Sequence, residues 1–444
     1  MDYYMEYRNK LRTPDEAVKI IKSGDWVDYT TATAKPSLLD EALARRRDEL
    51  IDVKIRGNLL DGPLNVVECD PSQEHFIYHT WHCSSYERKL CDKGLCYYTP
   101  MVFHNLTAYY HFFIDVDVAM IAVPPMDKHG YFNFSINTGT SAEILRQAKK
   151  VIVEINENLP KVRGGYDDCV HISEVDYVVE GPHKPFARRG DIKITPQEEK
   201  IAENLIPYIR NGSTLQIGVG SMPDAIARLL SDSELQDLGM HTELCSDAYL
   251  HLFESGKLTN AYKNINPRKS VFGFAIGSQD LYDWLDDNPS VMAYPLEYVN
   301  KPEVIGQIDN MVSINSCISV DLYGQVSSES VGTRQISGTG GQLDFLEGAS
   351  ISRGGRAFIC MNSTFTDSNG VLQSNIVPSF KGEIITSPRS YVYYIATEFG
   401  VVNLEGASSW ERAERLISIA HPDFRPWLQE EASKMRIWRK KPVL

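Results

Sequence analysis

The clearest pattern of apolar and polar positions lies near the middle of the chain. The short β-like run Thr214–Ile217 predicts a strand, and the glycine pair Gly218 and Gly220 follows it directly. Pro223 then stands where a helix begins, because the first helical turn has no use for the N–H that proline lacks. Residues 225–230 carry apolar side chains at helical spacing. We therefore predict a strand, a tight turn and a helix.

The first half of the chain repeats this pattern. Residues 26–30 predict a strand, and Pro36 opens a helix. Further on, the apolar run Val118–Val123 leads into Asp-Lys-His-Gly-Tyr at residues 127–131, and a similar run leads into Asp-Leu-Tyr-Gly-Gln at residues 321–325. Chance is the alternative, since such units are common, but the shared order favours an internal duplication. We expect an α/β protein with two similar doubly wound α/β domains.

Other stretches supply the remaining elements and the joint between the domains. Residues 180–195 carry prolines, glycines and a basic cluster, which are typical of a linker. Arg188 and Arg189 in this linker could meet a phosphate, although a solvated hinge is the simpler interpretation. The predicted domains are residues 1–185 and 196–444. Further strands are predicted at residues 53–56, 66–68, 76–78 and 151–155, and further helices at residues 14–23 and 409–419.

Charge and composition argue against several classes of partner. The formal net charge is −14 at pH 7 and the pI is about 5.3, which disfavours nucleic acid and an anionic membrane surface. No apolar run reaches the ~18–20 residues of a membrane span. The eight cysteines are scattered without a CxxC pair, as expected for reduced thiols. We therefore expect a cytoplasmic protein that binds neither nucleic acid nor a membrane.

One group of possible metal ligands falls in the first half. His79, His82, Cys83, Cys91 and Cys96 lie within a short stretch. Zinc sites favour closely spaced cysteine pairs, and this stretch has only one loosely spaced pair. The aromatic residues around these side chains favour packing instead, and we expect no metal site.

The candidate chemistry lies in the second half. Glu243 follows in a second predicted loop, so a carboxylate and the N–H groups of a strand-to-helix turn can stand on neighbouring loops. The carboxylate can attack an acyl carbon, and the N–H groups can hold the oxyanion. A simple turn and a solvated glutamate are the alternatives for this stretch alone. Gly338, Gly340 and Gly341 form a loop that permits close backbone approach, whereas the first half has Thr-Gly-Thr-Ser at residues 138–141.

Five motifs in one order resemble a known family. They resemble the acetyl-CoA hydrolase/transferase family of class I CoA-transferases over essentially the whole chain. Residues 24–29 and 436–439 most resemble its butyryl-CoA:acetate CoA-transferases, with 4-hydroxybutyrate CoA-transferases as close relatives. The motifs are Gly-Val-Gly-Ser-Met-Pro at residues 218–223, His-Thr-Glu at 241–243, the turn at 321–325, the glycine loop at 337–345 and Ile-Ala-His-Pro-Asp-Phe at 419–424.

The resemblance implies a site as well as a fold. It implies two doubly wound α/β domains in a cytoplasmic homodimer or homotetramer, with Glu243 as the catalytic residue that becomes a glutamyl-CoA thioester. Ser221 stands where butyryl-CoA enzymes of this type usually have glycine, and residues 30–34 also depart from the usual pattern; both bear on acyl chain length more than on chemistry. The implied oxyanion and coenzyme A contacts are Gly218, Val219, Gly220, Ser221, Met222, Ile318 and Gly341, and the glycine loop adds Gly340.

The implied reaction is ping-pong transfer of coenzyme A from an acyl-CoA such as butyryl-CoA to a carboxylate such as acetate. The thioester is a substrate, and no metal or redox cofactor is expected, because each intermediate keeps the thioester energy. A 4-hydroxybutyrate CoA-transferase or an acyl-CoA hydrolase of the same family is the alternative. A non-catalytic protein that binds coenzyme A is a third hypothesis. Binding alone, however, does not require a carboxylate beside the thioester.

Overall fold

A computed structural model describes residues 3–32, 34–190, 193–218 and 220–439. The chain divides into two compact units. Unit 1 comprises Met1–Gly190, Glu243–Asp247 and Lys269–Val299, and unit 2 comprises Asp191–Thr242, Ala248–Arg268 and Asn300–Leu444. The domain boundaries at residues 185 and 196 remain a prediction.

Strands and helices alternate along most of the chain. The strands of the first half are β1 (Leu11–Arg12), β2 (Trp26–Thr31), β3 (Val53–Asn58), β4 (Phe76–Thr80), β5 (Tyr97–Tyr98), β6 (Val118–Val123), β7 (Tyr131–Asn133), β8 (Lys150–Ile155), β9 (Cys169–His171) and β10 (Tyr177–Glu180). Those of the second half are β11 (Thr214–Ile217), β12 (Gly239–Cys245), β13 (Ser270–Ala275), β14 (Val291–Ala293), β15 (Met311–Ser316), β16 (Ser319–Asp321), β17 (Val326–Ser327), β18 (Ser330–Val331), β19 (Arg334–Gln335), β20 (Arg356–Cys360), β21 (Thr364–Thr366), β22 (Leu372–Ser374), β23 (Ile376–Val377), β24 (Tyr394–Thr397) and β25 (Gly400–Asn403).

The helices follow the same division. The first half has α1 (Tyr3–Lys10), α2 (Pro14–Ala17), α3 (Ser37–Arg45), α4 (Asn65–Glu68), α5 (Ser85–Asp92), α6 (Leu106–Phe112) and α7 (Thr138–Gln147). The second half has α8 (Pro196–Leu205), α9 (Ser221–Asp232), α10 (Asp247–Glu254), α11 (Gln279–Leu285), α12 (Leu296–Val299), α13 (Pro302–Ile305), α14 (Gln342–Ile351), α15 (Ser409–Ser418) and α16 (Arg425–Lys434). Within the part of the chain that the structure describes, no helix has the length and apolar character needed to span a bilayer.

The two eight-stranded sheets share one strand order. The first reads β5-β4-β3-β2-β6-β8-β10-β1, and the second reads β14-β13-β12-β11-β15-β20-β24-β25. Apart from β1, which comes first in the chain but lies at the edge of the first sheet, both sheets begin near the centre, add three strands on one side and then continue on the other side. The last strand in each of these two orders differs in direction. β1 pairs with β10 in parallel, whereas β25 pairs with β24 in an antiparallel hairpin. The prediction of two similar doubly wound α/β domains is confirmed.

The two Asp-x-x-Gly turns are also alike in detail. The Asp127 carboxylate accepts hydrogen bonds from the N–H groups two and four positions later, and so does that of Asp321. Gly130 and Gly324 have φ values of 86° and 85°, in the left-handed region that favours glycine. The repeat predicted from these two sequences is therefore a repeat of structure.

Burial on both faces explains why some strands were easy to predict. In β6, Ala119, Ile121 and Val123 face one hydrophobic core, whereas Val118 and Met120 face another. A strand covered on both sides carries a continuous apolar run, and the prediction of Val118–Val123 matches β6 at both ends.

Three predicted elements differ from the structure. Residues 66–68, predicted as a strand, lie in helix α4, because the Asp40 carboxylate accepts hydrogen bonds from the Asn65 N–H and amide and holds the start of a helical turn. The helix predicted over residues 14–23 is α-helical only to Ala17 and continues as a 3-10 turn to Ile20. Helix α9 begins at Ser221, before the predicted start at Pro223.

Candidate active site

Glu243 lies on a strand and not on the predicted loop. It is the fifth residue of β12 and is partly buried, and its neighbour Leu244 packs in the core of unit 1. A Cβ on Gly273 of β13 would lie 3.1 Å from the Glu243 carbonyl oxygen, so glycine permits this close backbone approach. The strand was missed because buried polar residues, His241 and Thr242, interrupt its apolar pattern. The strand gives the Glu243 backbone a fixed position near the carboxyl end of β12.

The other reactive side chain of this strand is the Cys245 thiol. It is fully buried, and burial, followed by the charge of Asp247, raises its pKa well above the usual value. The Asp247 carboxylate in turn accepts hydrogen bonds from the Ser278 N–H at 3.1 Å and hydroxyl at 2.6 Å. A buried thiol with a raised pKa is a poor nucleophile. Glu243 is therefore the better candidate of the two.

The glycine turn of unit 2 joins a buried strand to a helix, as predicted. The N–H of Gly218 donates to the Ile314 carbonyl at 3.1 Å and extends the pairing of β11 with β15. Gly220 has φ 120° and ψ −178° at the start of α9, a conformation that is essentially limited to glycine. Met222 follows in the first helical turn and is buried, while Val219 lies outside the described residues. The turn thus presents the N-terminal N–H groups of α9, as an anion site requires.

Ser221, the departure from the usual family sequence, has a partner in unit 2. Its hydroxyl donates to Oε1 of Glu198. The other oxygen of this carboxylate accepts from the N–H and hydroxyl of Thr195, at 2.8 and 2.9 Å, and so caps helix α8. Although burial opposes ionisation, the hydrogen bonds from Ser221 and Thr195 lower the pKa of Glu198. The serine therefore ties the start of α9 to an ionised carboxylate on α8.

This arrangement predicts different effects for two matched substitutions. We expect Ser221→Ala to raise the KM for the acyl-CoA roughly five- to tenfold, since a hydrogen bond to a charged group is worth ~1.5–3 kcal/mol and part of that holds the turn. Thr195→Ala removes the cap on the same carboxylate and should cost ~1 kcal/mol of unfolding free energy without changing KM. Steady-state kinetics and denaturant unfolding measure both effects. An equal change of KM in the two variants would mean that Ser221 serves stability alone.

The remaining predicted contacts also lie in unit 2. Ile318 follows β15, the parallel neighbour of β11, so its loop and the Gly218 turn leave the same edge of the sheet. Its N–H donates to the Ser327 carbonyl at 2.9 Å, and a contact with coenzyme A would have to come from another of its atoms. Gly340 has φ 57° and Gly341 precedes the first residue of α14. Gly341 thus stands at a second helix N-terminus.

Sequence reasoning missed four buried polar residues of unit 1, which we call the polar cluster: Asn58, Asn137, Thr138 and Thr140. None is more than 3% exposed. Both polar side-chain atoms of Asn58, the side-chain amide oxygen (Oδ1) of Asn137 and both threonine hydroxyls find no hydrogen-bond partner among the described residues. Buried polar atoms are normally paired. The cluster therefore indicates a place for a polar ligand or for bound water.

Backbone geometry brings the polar cluster near the strand of Glu243. Gly139, between the two threonines, breaks the helical conformation of α7 with φ 14° and ψ −92°. A Cβ on Gly139 would lie 3.9 Å from the carbonyl oxygen of Gly273, the residue that packs against Glu243. The side-chain amide of Asn137 donates to the Thr30 hydroxyl at 2.6 Å, and Thr30 itself has φ 60°. The one available signal in the sequence was the run of small polar residues at 138–141.

Known proteins resemble the chain over its whole length. Residues 1–188 match the acetyl-CoA hydrolase/transferase N-terminal domain and residues 277–432 match the C-terminal domain of the same family. The chain is 46% identical to a butyryl-CoA:acetate CoA-transferase of Anaerostipes caccae, with 99% of each chain covered. The crystal structure of RipA from Yersinia pestis superposes with a TM-score of 0.91 at 36% identity, covering 98% of this chain and 100% of that one. A 4-hydroxybutyrate CoA-transferase from Porphyromonas gingivalis has a TM-score of 0.81 at 32% identity, with the same coverage.

The chain belongs to the acetyl-CoA hydrolase/transferase family. The family assignment made from the motifs is thereby confirmed, as is the assignment to enzymes of the CoA-transferase type.

Proposed function

We propose that this protein transfers coenzyme A between butyryl-CoA and acetate through a glutamyl-CoA thioester on Glu243. The observation that carries the proposal is the position of Glu243, a partly exposed carboxylate near the carboxyl end of β12. The 46% identical relative from Anaerostipes caccae is named for this butyryl-CoA:acetate reaction.

The proposed reaction has two matching halves. The Glu243 carboxylate attacks the carbonyl carbon of butyryl-CoA, the thioester C–S bond breaks, and a mixed anhydride and the CoA thiolate result. The thiolate then attacks the Glu243 carbonyl carbon, releases butyrate and leaves coenzyme A on Glu243 as a thioester. Acetate attacks this thioester, and the same steps run in reverse to give acetyl-CoA. Every bond broken is matched by one formed, so no oxidant or reductant is needed.

Positioning of the reactants and stabilisation of the oxyanion must supply the acceleration of the proposed reaction. A carboxylate is a weak nucleophile, and well-oriented reactants can gain ~7–11 kcal/mol from proximity. We assign the oxyanion to the N–H groups of the turn at Gly220, Ser221 and Met222, where each donor can contribute ~3 kcal/mol. The Gly218 N–H already donates to the Ile314 carbonyl, so Gly218 can serve only through the close approach of its backbone. The open backbone at Gly340 and Gly341 is proposed to contact coenzyme A.

We assign the acyl group to the side of Glu243 on which the polar cluster lies. The cluster consists of neutral amides and hydroxyls, and burial lowers the pKa of nearby His82 to about 4, so its ring is neutral near pH 7. A second carboxylate on the acyl group would be buried there beside these neutral side chains, at a large cost. This favours monocarboxylic acyl groups. Because hydroxyls and amides can also bind a hydroxyl, 4-hydroxybutyryl-CoA is the second candidate donor.

The remaining properties are proposed on general grounds. We propose that catalysis uses no metal or redox cofactor, since the thioester energy passes from one intermediate to the next. All eight cysteines are free thiols, which fits the cytoplasm. A homodimer or homotetramer is proposed from the family resemblance.

A panel of donors and acceptors tests the proposed function. Butyryl-CoA, 4-hydroxybutyryl-CoA and succinyl-CoA are each supplied with acetate and without it, and acyl-CoA products are followed by chromatography. We expect butyryl-CoA with acetate to give the highest kcat/KM and succinyl-CoA the lowest. Turnover that proceeds equally fast without acetate would identify a hydrolase. The absence of turnover with every donor would leave only binding of coenzyme A.

A further inference from the structure

Three cysteines of unit 1 that the proposed reaction does not use form a cluster of thiols. Cys83 precedes α5, Cys91 lies in the last turn of α5, and Cys96 precedes β5. The Sγ atoms of Cys83 and Cys91 are 3.7 Å apart, and the Cys96 thiol also hydrogen-bonds Cys91. We refer to Cys83, Cys91 and Cys96 as the thiol cluster.

The two histidines of the same sequence stretch do not join these thiols. The His79 ring packs against Trp26 and Tyr97, and the His82 ring packs against Phe103. In the described ranges, no group of three or more His, Cys, Asp or Glu side chains is arranged to hold a metal ion. We therefore consider oxidation of the thiol cluster and not metal binding.

Cys91 differs from the other two thiols in exposure and in charge. It is partly exposed, whereas Cys83 and Cys96 are 3% and 6% exposed. Hydrogen bonds from Cys83 and then from Cys96 stabilise the Cys91 thiolate and lower its pKa, and the pKa values of both donors are raised. The thiolate is the reactive form of cysteine, so the accessible member of the cluster is also the nucleophilic one.

We propose that Cys91 is a site of oxidation by hydroperoxides and that Cys83 is its resolving thiol. The Cys91 thiolate attacks one peroxide oxygen, the O–O bond breaks, and a sulfenic acid and hydroxide result, with the sulfur oxidised and the peroxide reduced. Oxidation of Cys91 removes the thiolate to which the Cys83 thiol donates, and with it the largest cause of the raised pKa of Cys83. The Cys83 sulfur then attacks the sulfenic sulfur, its proton leaves with the sulfenic hydroxyl group as water, and a Cys83–Cys91 disulfide forms. The Sγ atoms must approach by less than 2 Å to reach the bond length of about 2.05 Å, which is a small local movement.

The pH dependence of alkylation tests the reactive thiol in the unmodified full-length protein. Cys69 is the internal control, since it is also partly exposed in unit 1 but burial and the charge of Asp70 raise its pKa. With iodoacetamide followed by peptide mapping between pH 6 and 8, we expect the rate at Cys91 to stay nearly constant. The rate at Cys69 should rise about tenfold per pH unit, because its thiolate fraction does. Equal pH dependence at the two residues would overturn the assignment of Cys91.

Oxidation with hydrogen peroxide tests whether Cys83 is the thiol that forms the disulfide with Cys91. One equivalent should remove the mass of two hydrogen atoms from the intact protein, join the Cys83 and Cys91 peptides, and be reversed by dithiothreitol. In Cys83→Ser, the reaction should stop at a Cys91 sulfenic acid that dimedone traps, and in Cys91→Ser neither product should form. A Cys91–Cys96 disulfide, first oxidation at Cys69, or no disulfide at all would contradict the proposal. None of these readouts depends on transferase activity, so they stand apart from the proposed function.

Discussion

Replacing Glu243 by glutamine is expected to leave less than a few per cent of wild-type CoA transfer. The amide has the size of the carboxylate, but its nitrogen and oxygen cannot form the anhydride through which coenzyme A would pass. Because Glu243 is partly exposed on a strand whose neighbour Leu244 is in the core, the change should leave the unfolding free energy nearly unchanged. Initial rates with butyryl-CoA and acetate, together with thermal unfolding, measure both quantities.

A matched substitution separates the loss of a nucleophile from a general loss of negative charge. Glu254 ends the next helix, α10, and is exposed. Glu254→Gln should retain close to full activity. Substantial transfer by Glu243→Gln in a folded protein would show that another residue carries the acyl group. The thiol of Cys245, which is buried and has a raised pKa, is a poor replacement for the Glu243 carboxylate as the nucleophile.

The second large effect is expected at Gly220. Valine here should lower kcat by roughly 10²-fold or more, because the N–H groups after Gly220 would no longer point at the oxyanion. The physical reason is the backbone conformation of Gly220 and not the space around it. Leaving aside its chain neighbours, a Cβ on Gly220 meets no atom of the described residues within 4 Å, so a steric clash is not the cause. The cost arises from φ 120° and ψ −178°, which valine cannot adopt, and the turn must therefore rearrange.

Gly370 provides the control for backbone strain. It also has a positive φ, 79°, and open space around its Cβ position, but it lies in the turn between β21 and β22. Gly370→Val should lower the unfolding free energy and leave kcat near the wild-type value. If Gly220→Val keeps wild-type kcat while folded, the turn takes no part in oxyanion stabilisation.

The sequence was most informative where burial leaves a simple periodic pattern. Strands β6 and β11 are buried along their whole lengths. The apolar run Val118–Val123 and the β-like run Thr214–Ile217 predicted them with the observed bounds. The duplicated strand order followed from two short motifs, the strand before a proline-led helix and the Asp-x-x-Gly turn. Both are local features whose geometry depends on residues close in sequence, so they can be recognised without tertiary contacts.

The sequence was least informative where distant residues determine the local structure. Residues 66–68 are helical because Asp40 caps their first turn. The polar cluster could not be predicted, because Asn58 and Asn137 come from separate parts of unit 1 and only the fold buries them. The pairing of Ser221 with Glu198 likewise depends on the packing of α8 beside α9. In these places tertiary contacts override local preference.

The central claim is that coenzyme A becomes bound to Glu243, and trapping this intermediate tests it most directly. Mixing the protein with butyryl-CoA and no acceptor lets the first half-reaction finish while the second has no partner. We expect the intact mass to rise by one coenzyme A, borohydride to convert Glu243 to an alcohol, and peptide mapping to place the change within residues 241–247. Adding acetate should remove the adduct and release an equal amount of acetyl-CoA. Transfer that proceeds with no adduct under single-turnover conditions, or an adduct on Cys245, would contradict the account.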